Sequence, residues 1–302
     1  MTDGETAQRC GLIALVGAPN VGKSTLINQI VGAKVAIVTP KAQTTRTRVL
    51  GIRMAGQTQA VFVDTPGIFL PKRRLDRAMV HTAWREAGDA DETCLLIDAG
   101  KGLDAAARAI AEKLKQSGRE VVGVFNKIDK VRRSRLLEMA QELTAILPCR
   151  DVFMIAAING DGVETLFEKL AARLPQGPWL FPEDQLSDMP DRLMAAEITR
   201  EKLMLSLRNE LPYDLTVETE DWQVFQNGAL RIAQVIHIAR DSQKGIVVGK
   251  GGDQIRRIRE ASQRELQTIL EAPVHLFLHV KVRPNWDEDR AHFRELGLDY
   301  NV

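Results

Sequence analysis

Cysteine is scarce: Cys10, Cys94 and Cys149 are the three in 302 residues. They are scattered, odd in number and lack metal-ligand spacing, which argues against a disulfide framework and fits a reducing cytoplasm. Net charge is nearly absent too. With 41 Lys and Arg against 40 Asp and Glu, the formal charge is +1. The molecule is no polycation, and any affinity for nucleic acid must come from a local patch. No apolar run approaches the roughly 20 residues that span a bilayer. The start, MTDGETAQR, is polar and begins acidic, where a secretory signal is basic and then apolar. A cytoplasmic protein is expected, with peripheral contact at the inner face of the cell membrane left open. Internal repeats and low-complexity tracts are missing as well.

What is present is apolar material, 44% of residues, enough for two ordinary domains. Apolar runs at 12–16, 60–63, 93–98, 121–126 and 152–156 alternate with helical patterns at 105–116, 134–147 and 162–173. Buried strands alternating with helices predict an α/β domain, a mostly parallel sheet with helices on both faces. Residues 174–192 hold four prolines and little periodicity, the mark of a linker. Their Trp179, Leu180 and Phe181 argue that this linker packs on a domain. Beyond it an α+β module follows: a helix at 191–208, strands at 213–218 and 229–239, a glycine cluster, a long helix ending at 270 and a strand at 274–282. The expected division is 1–175, a linker at 176–190, and 191–302.

The stretch Gly17-Ala18-Pro19-Asn20-Val21-Gly22-Lys23-Ser24 fits GxxxxGK[ST], between a predicted strand and a predicted helix. Successive backbone N–H groups and the positive helix end would wrap phosphates, Lys23 would reach the terminal ones, and the Ser24 hydroxyl would hold magnesium. Asn126-Lys127-Ile128-Asp129 ends another strand. The Asp129 carboxylate matches the two N–H groups on one edge of guanine, whereas adenine would leave it unpaired. Asn126 and Lys127 would brace the base and the phosphate loop.

Asp64-Thr65-Pro66-Gly67 completes the set. Asp64 would take a magnesium position through water, and the Gly67 N–H would touch the γ-phosphate, so that losing this phosphate frees the segment after it. That segment, residues 69–74, would be mobile. A threonine between the first loop and Asp64 must complete the magnesium shell; Thr45 is favoured over Thr44. In many such proteins a glutamine follows the glycine and orients the attacking water. Here Ile68 stands in its place, and no arginine finger is evident, though Arg46 and Arg48 lie near. Slow intrinsic GTP hydrolysis is expected.

In the second half, Gly249-Lys250-Gly251-Gly252 joins the apolar run 246–248 to a helix, in what reads as a strand–helix context. It fits the GXXG clamp that holds about four nucleotides of single strand. From Arg240 to Arg283 there are nine Lys and Arg against five Asp and Glu, with Arg256, Arg257 and Arg259 just after the clamp. That is the local basic patch a near-neutral RNA binder needs. His275 and His279 suggest a metal, but four residues along a strand separate them by roughly 13 Å, too far for one ion.

The order GAPNVGKST, KAQTTRTR, DTPG, NKID resembles the translation-factor-like bacterial GTPases. Combined with LPYDLTVE, IVVGKGG and EAPVHLFLHVKV, it resembles the Era family in particular, over nearly the whole chain. The resemblance implies a P-loop GTPase domain followed by a type II KH RNA-binding domain. It also implies a role in ribosome biogenesis: binding the 3′ end of small-subunit ribosomal RNA and assembling the 30S subunit, as a monomer. Val21 and Thr25 would join the GTP contacts. Asn20 would ligate an activating potassium ion, as in potassium-dependent relatives. The family's fifth box is Ser-Ala, and here it is Ala156-Ala157; the Ala157 N–H would still meet the guanine carbonyl, while Ala156 lacks the hydroxyl that stiffens the loop. Two other functions use the same residues: an RNA-binding assembly factor in which GTP is mainly an affinity switch, and a GTPase whose C-terminal module binds protein.

Overall fold

The computed structural model describes residues 7–209 and 211–302. They divide into two units. The first comprises the described residues up to Ala36, together with Thr45–Asp188 and Leu296–Val302; the second comprises Ile37–Thr44 and Met189–Glu295.

In the first unit the elements run β1 (Arg9–Val16), α1 (Lys23–Val31), β2 (Val49–Ala55), β3 (Thr58–Asp64), α2 (Arg74–Asp89), β4 (Glu92–Asp98), α3 (Ala105–Gln116), β5 (Val121–Asn126), α4 (Arg133–Ile146), β6 (Cys149–Met154) and α5 (Val163–Ala171). The sheet order is β2-β3-β1-β4-β5-β6. Only the edge pair β2–β3 is antiparallel. Alternation along β1 shows why both faces are covered. Ile13 and Leu15 enter one core with Leu26 and Ile27 of α1 and Phe167 and Leu170 of α5. Ala14 and Val16 enter the other with Ala83 of α2, Ile110 of α3 and Leu143 of α4. The motif-bearing loops all leave the carboxyl ends of the parallel strands, where open α/β sheets place their ligands.

Two elements of this unit escape the sequence pattern. Strand β2 is half buried along VLGIRMA and finds its partner only across a tight turn. Helix α2 packs mainly small or polar residues, including Ala78, Thr82, Ala83 and Ala87, so its apolar period is faint. The expected linker lies along the first unit as far as Asp188. The Gln59 side chain accepts from the N–H groups of Leu180 and Phe181 (2.9 and 3.1 Å) and donates to the Phe181 carbonyl (2.8 Å). Trp179 and Phe181 cover the cluster of Leu50, Ile52 and Val61.

The second unit runs α6 (Asp191–Ser206), β7 (Leu215–Val224), β8 (Leu230–Ile238), α7 (Asp241–Val248), α8 (Asp253–Ile269), β9 (Val274–Val282) and α9 (Arg290–Glu295). Its sheet order is β7-β8-β9, the first pair antiparallel and the second parallel. This α-β-β-α-α-β order, with a parallel last pair, is the type II KH arrangement. The apolar run 246–248 is the end of helix α7. The glycine clamp therefore joins two helices, not a strand to a helix, because Val247 is buried from a helical face. Among the described residues, no helix is long and apolar enough to cross a membrane.

Candidate nucleotide and RNA sites

The phosphate loop links β1 to α1. Gly22 has φ +100°, and a Cβ there would lie 2.3 Å from Asn126 Nδ2, so glycine is required by both backbone and neighbour. Lys23, 6% exposed, folds back to donate to the carbonyls of Gly17 (3.2 Å) and Ala18 (3.3 Å). Burial pushes its ammonium pKa down to about 8, against the pull of Asp64. Burial likewise raises the Asp64 carboxyl, with Lys23, Ser24 and Thr45 opposing.

Ser24 Oγ donates to Asp64 Oδ2 (2.6 Å), and Thr45 Oγ1 lies 3.0 Å from Ser24 Oγ and 3.2 Å from Asp64 Oδ2. The other carboxylate oxygen, Asp64 Oδ1, is buried without a hydrogen-bond partner. Two hydroxyls and one carboxylate, one of whose buried oxygens is unsatisfied, form a hard, oxygen-only donor set, which fits magnesium. Thr44 is turned elsewhere, its Oγ1 bonded to Thr39 Oγ1 (2.7 Å) and to the Lys41 carbonyl (2.8 Å).

Thr65 donates its hydroxyl to the Leu15 carbonyl (2.8 Å) and is fully buried, a contact with no sequence signature. Gly67 presses on the phosphate loop: a Cβ there would stand 2.9 Å from N, Cα and Cγ of Pro19. Next, the Ile68 N–H donates to the Gly17 carbonyl (3.0 Å). The Ile68 side chain is 7% exposed and belongs to the core with Ala14, Val16 and Ala83. Arg46 is 2% exposed, and Arg48 pairs with Asp188 (3.2 Å) and Glu86 (3.8 Å).

Asn126 joins three loops. Its Nδ2 donates to the Val21 carbonyl (2.8 Å), and its Oδ1 accepts from the N–H groups of Lys127 (2.8 Å) and Ala157 (2.9 Å). Lys127 Nζ donates to the Asn20 carbonyl (2.5 Å) and to Asp98 (2.7 Å). Asp98, at the end of β4, also accepts from the Gly100 N–H (2.9 Å); sequence reasoning overlooks it because it belongs to no motif. A cavity of about 210 Å³ is lined by Gly22, Thr25, Asn126, Lys127, Asp129, Lys130, Ala157 and Ile158. The Ala157 N–H, expected to be free for guanine, is engaged by Asn126. The loop without its serine is held by backbone: Ala156 N–H to the Asp161 carbonyl (2.9 Å) and Gly160 N–H to the Ala156 carbonyl (3.0 Å).

In the second unit, Gly249, Gly251 and Gly252 have φ of +75°, +61° and +79°. A Cβ on Gly249 would sit 2.5 Å from Gln254 Cβ, while Gly251 and Gly252 face open space. Lys250 is exposed between them. Arg256 and Arg257 extend from the first turn of α8, pair with Asp253 (2.8 and 2.6 Å) and remain 65% and 77% exposed. His275 and His279 lie exposed on β9, and no metal-holding group of His, Cys, Asp or Glu occurs among the described residues.

Residues 12–127 match the family model of the 50S ribosome-binding GTPases, and residues 210–287 match that of the KH domain. The chain is 55% identical over 292 residues to GTPase Era of Afipia carboxidovorans, covering 97% of this chain and 95% of that protein. It is 54% identical over 297 residues to GTPase Era of Rhizobium meliloti, covering 98% and 95%. The chain belongs to the Era GTPase family. A solved Era structure, in complex with MgGDPNP and nucleotides 1506–1542 of 16S ribosomal RNA, superposes with a TM-score of 0.92 at 37% identity, covering 98% of this chain and all of the other. A variant of Aquifex aeolicus Era bound to GDP and AlF4− gives 0.91 at 37% identity, with the same coverage.

In this Era-family site two outcomes are expected. Ile68→Gln will not raise the hydrolysis rate, because position 68 points into the core; it will lower stability by about 1–3 kcal/mol for the buried amide, measurable by denaturant unfolding beside single-turnover kinetics. Nucleotide binding at pH 8 will take up protons. Phosphates restore the charge on Lys23, whose pKa of about 8 leaves it partly neutral beforehand. The uptake from Lys23 vanishes at pH 6.5, where the ammonium is already charged, and affinity weakens as pH rises above 8. Calorimetry in two buffers of different ionisation enthalpy measures this directly.

Proposed function

We propose that this GTPase acts as a slow nucleotide switch that binds the 3′ region of small-subunit ribosomal RNA through its KH module and serves in assembly of the 30S subunit. The observation that carries the reading is the convergence of Ser24, Thr45 and Asp64 beside Lys23, in a chain that also presents the Gly249–Gly252 clamp. Related Era bound to MgGDPNP and 16S RNA supports the same pairing of ligands.

Lys23 neutralises the terminal phosphates, and backbone N–H groups of Gly17 and of Asn20–Thr25 bind the remainder. Ser24 and Thr45 would ligate magnesium and Asp64 would reach it through water; the ion would supply positive charge to the terminal phosphates. Asp129 reads the guanine edge, Lys127 and Asn126 hold that loop to the phosphate loop, and Ala156 and Ala157 close the base pocket. The Gly67 N–H contacts the γ-phosphate. Ile68 offers no side chain to water, Arg46 is buried and Arg48 is paired; by resemblance to potassium-dependent relatives, Asn20 would hold an activating potassium ion. Lys250, Arg256 and Arg257 meet RNA phosphates, and the glycines admit the RNA backbone. The protein works as a cytoplasmic monomer.

RNA affinity measured with GDP and with a non-hydrolysable GTP analogue should differ; equal values would end the switch reading. Lys250→Asp should weaken single-stranded RNA binding roughly tenfold without the clash that any Gly249 substitution brings. For potassium, GTP hydrolysis compared in KCl and NaCl at equal ionic strength should be faster in KCl, and the difference should be lost in Asn20→Ala. Identical wild-type rates in both salts would remove potassium from the mechanism.

A further inference from the structure

Lys127 is held in an uncommon backbone state. Its φ of +65° lies in the left-handed region that long side chains rarely adopt. The residue lines the base cavity, and its ammonium donates to the Asn20 carbonyl of the phosphate loop (2.5 Å). A lysine has a flexible four-carbon stem, and an ammonium tied to one neutral carbonyl would keep much of that freedom. The second partner removes it: Asp98 Oδ2, at 2.7 Å.

Asp98 is fixed independently of Lys127. The parallel register of β4 and β5 sets it opposite Asn126, the residue before Lys127. Its other carboxylate oxygen accepts from the Gly100 N–H (2.9 Å). Its main-chain carbonyl accepts from the N–H groups of Lys101 and Gly102 (2.9 Å each). The side chain is 12% exposed, against 26% for Lys127. Ion pairs on open surface contribute little, because water screens them and two long side chains lose freedom. Here one partner is short, shielded and already immobile, so the bond restricts Lys127 alone.

We propose that Asp98 is a positioning residue for guanine-nucleotide binding: it fixes the Lys127 ammonium on the Asn20 carbonyl, and so holds one wall of the base cavity to the phosphate loop. The proposal rests on the reading of Lys127 as the brace between those loops. Asp98 is not among the described residues that line the cavity. It therefore acts on retention of the nucleotide and leaves the cleavage step to other groups.

The test is binding and release of GDP carrying a fluorescent methylanthraniloyl group, measured on the full chain beside single-turnover GTP hydrolysis. Asp98→Asn keeps the size of the side chain and an oxygen for Gly100, but turns an amide donor toward the ammonium. It should raise the GDP dissociation constant roughly tenfold, mainly through faster release. The GTP concentration for half-maximal rate should rise by the same factor, while the rate at saturating GTP stays within about twofold. Lys127→Met should weaken GDP binding too, and in that background Asp98→Asn should add less than about twofold. Asp98→Ser, which can still accept from Gly100, gives the same comparison if Asp98→Asn fails to fold. Wild-type GDP affinity in the Asp98 variants, with Lys127→Met weakened, would overturn the proposal and leave the brace standing. Full additivity with Lys127→Met would overturn it as well, as would a slower saturated rate at unchanged affinity. If Lys127→Met binds GDP as the wild type does, the brace itself fails, and the proposal with it.

Discussion

One carboxamide holds the nucleotide site together. The phosphate loop, the guanine loop and the loop of Ala156–Ala157 leave three different strands and share no sheet hydrogen bonds. Asn126 gives its donor to the first and its acceptor to the other two. Its own carbonyl accepts from the Ala99 N–H (2.8 Å), tying in the end of β4. An aspartate here would lose the donor to Val21, and an alanine would orphan a buried N–H at Ala157; either leaves groups whose desolvation is uncompensated. Gly22 is glycine because Asn126 Nδ2 occupies the space of its Cβ. The shape of the cavity lined by Gly22, Asn126 and Ala157 is thus held by one satisfied side chain.

The phosphate end works differently. Lys23 and Asp64 are buried close enough for each to oppose the other's shift, yet burial dominates in both. One Asp64 oxygen has no partner at all. Neither group is content in the protein alone, so phosphate and magnesium satisfy interactions that folding leaves open. Such a site gains affinity without having to rearrange.

Much of this was legible in the sequence because it is local. A phosphate loop is one contiguous stretch, and its strand and helix flanks follow from hydrophobic period. The guanine motif and the glycine clamp are contiguous as well. What resisted reading depends on distant partners. Strand β2 is an edge strand whose outer residues carry no alternation, and helix α2 buries alanines and threonines. Asp98 matters only because β4 places it beside Lys127. Helix α7 looked like an apolar run because its helical face shows only one buried residue, Val247. In the base loop, Ala156 has no hydroxyl to offer, and the turn carries backbone bonds from Ala156 to Asp161 and from Gly160 to Ala156. Above all, nothing in KAQTTR announces that residues 37–44 are built into the KH unit.

At Ile68 side chain and backbone face different tasks. Its lack of a polar atom is visible in the sequence, and reads as a missing catalytic group. Its position in the core shows that the site was never arranged for a side chain at that point: the N–H is bonded to Gly17, and Gly67 is pressed against Pro19. The chain after Asp64 therefore presents backbone rather than a polar side chain here, and its buried isoleucine anchors that backbone to the core. Rapid hydrolysis needs a mobile polar group or an outside donor, and Ile68 supplies no polar side chain at this position. A slow reaction is useful only where the lifetime of the GTP state carries information. Binding a second macromolecule is such a use.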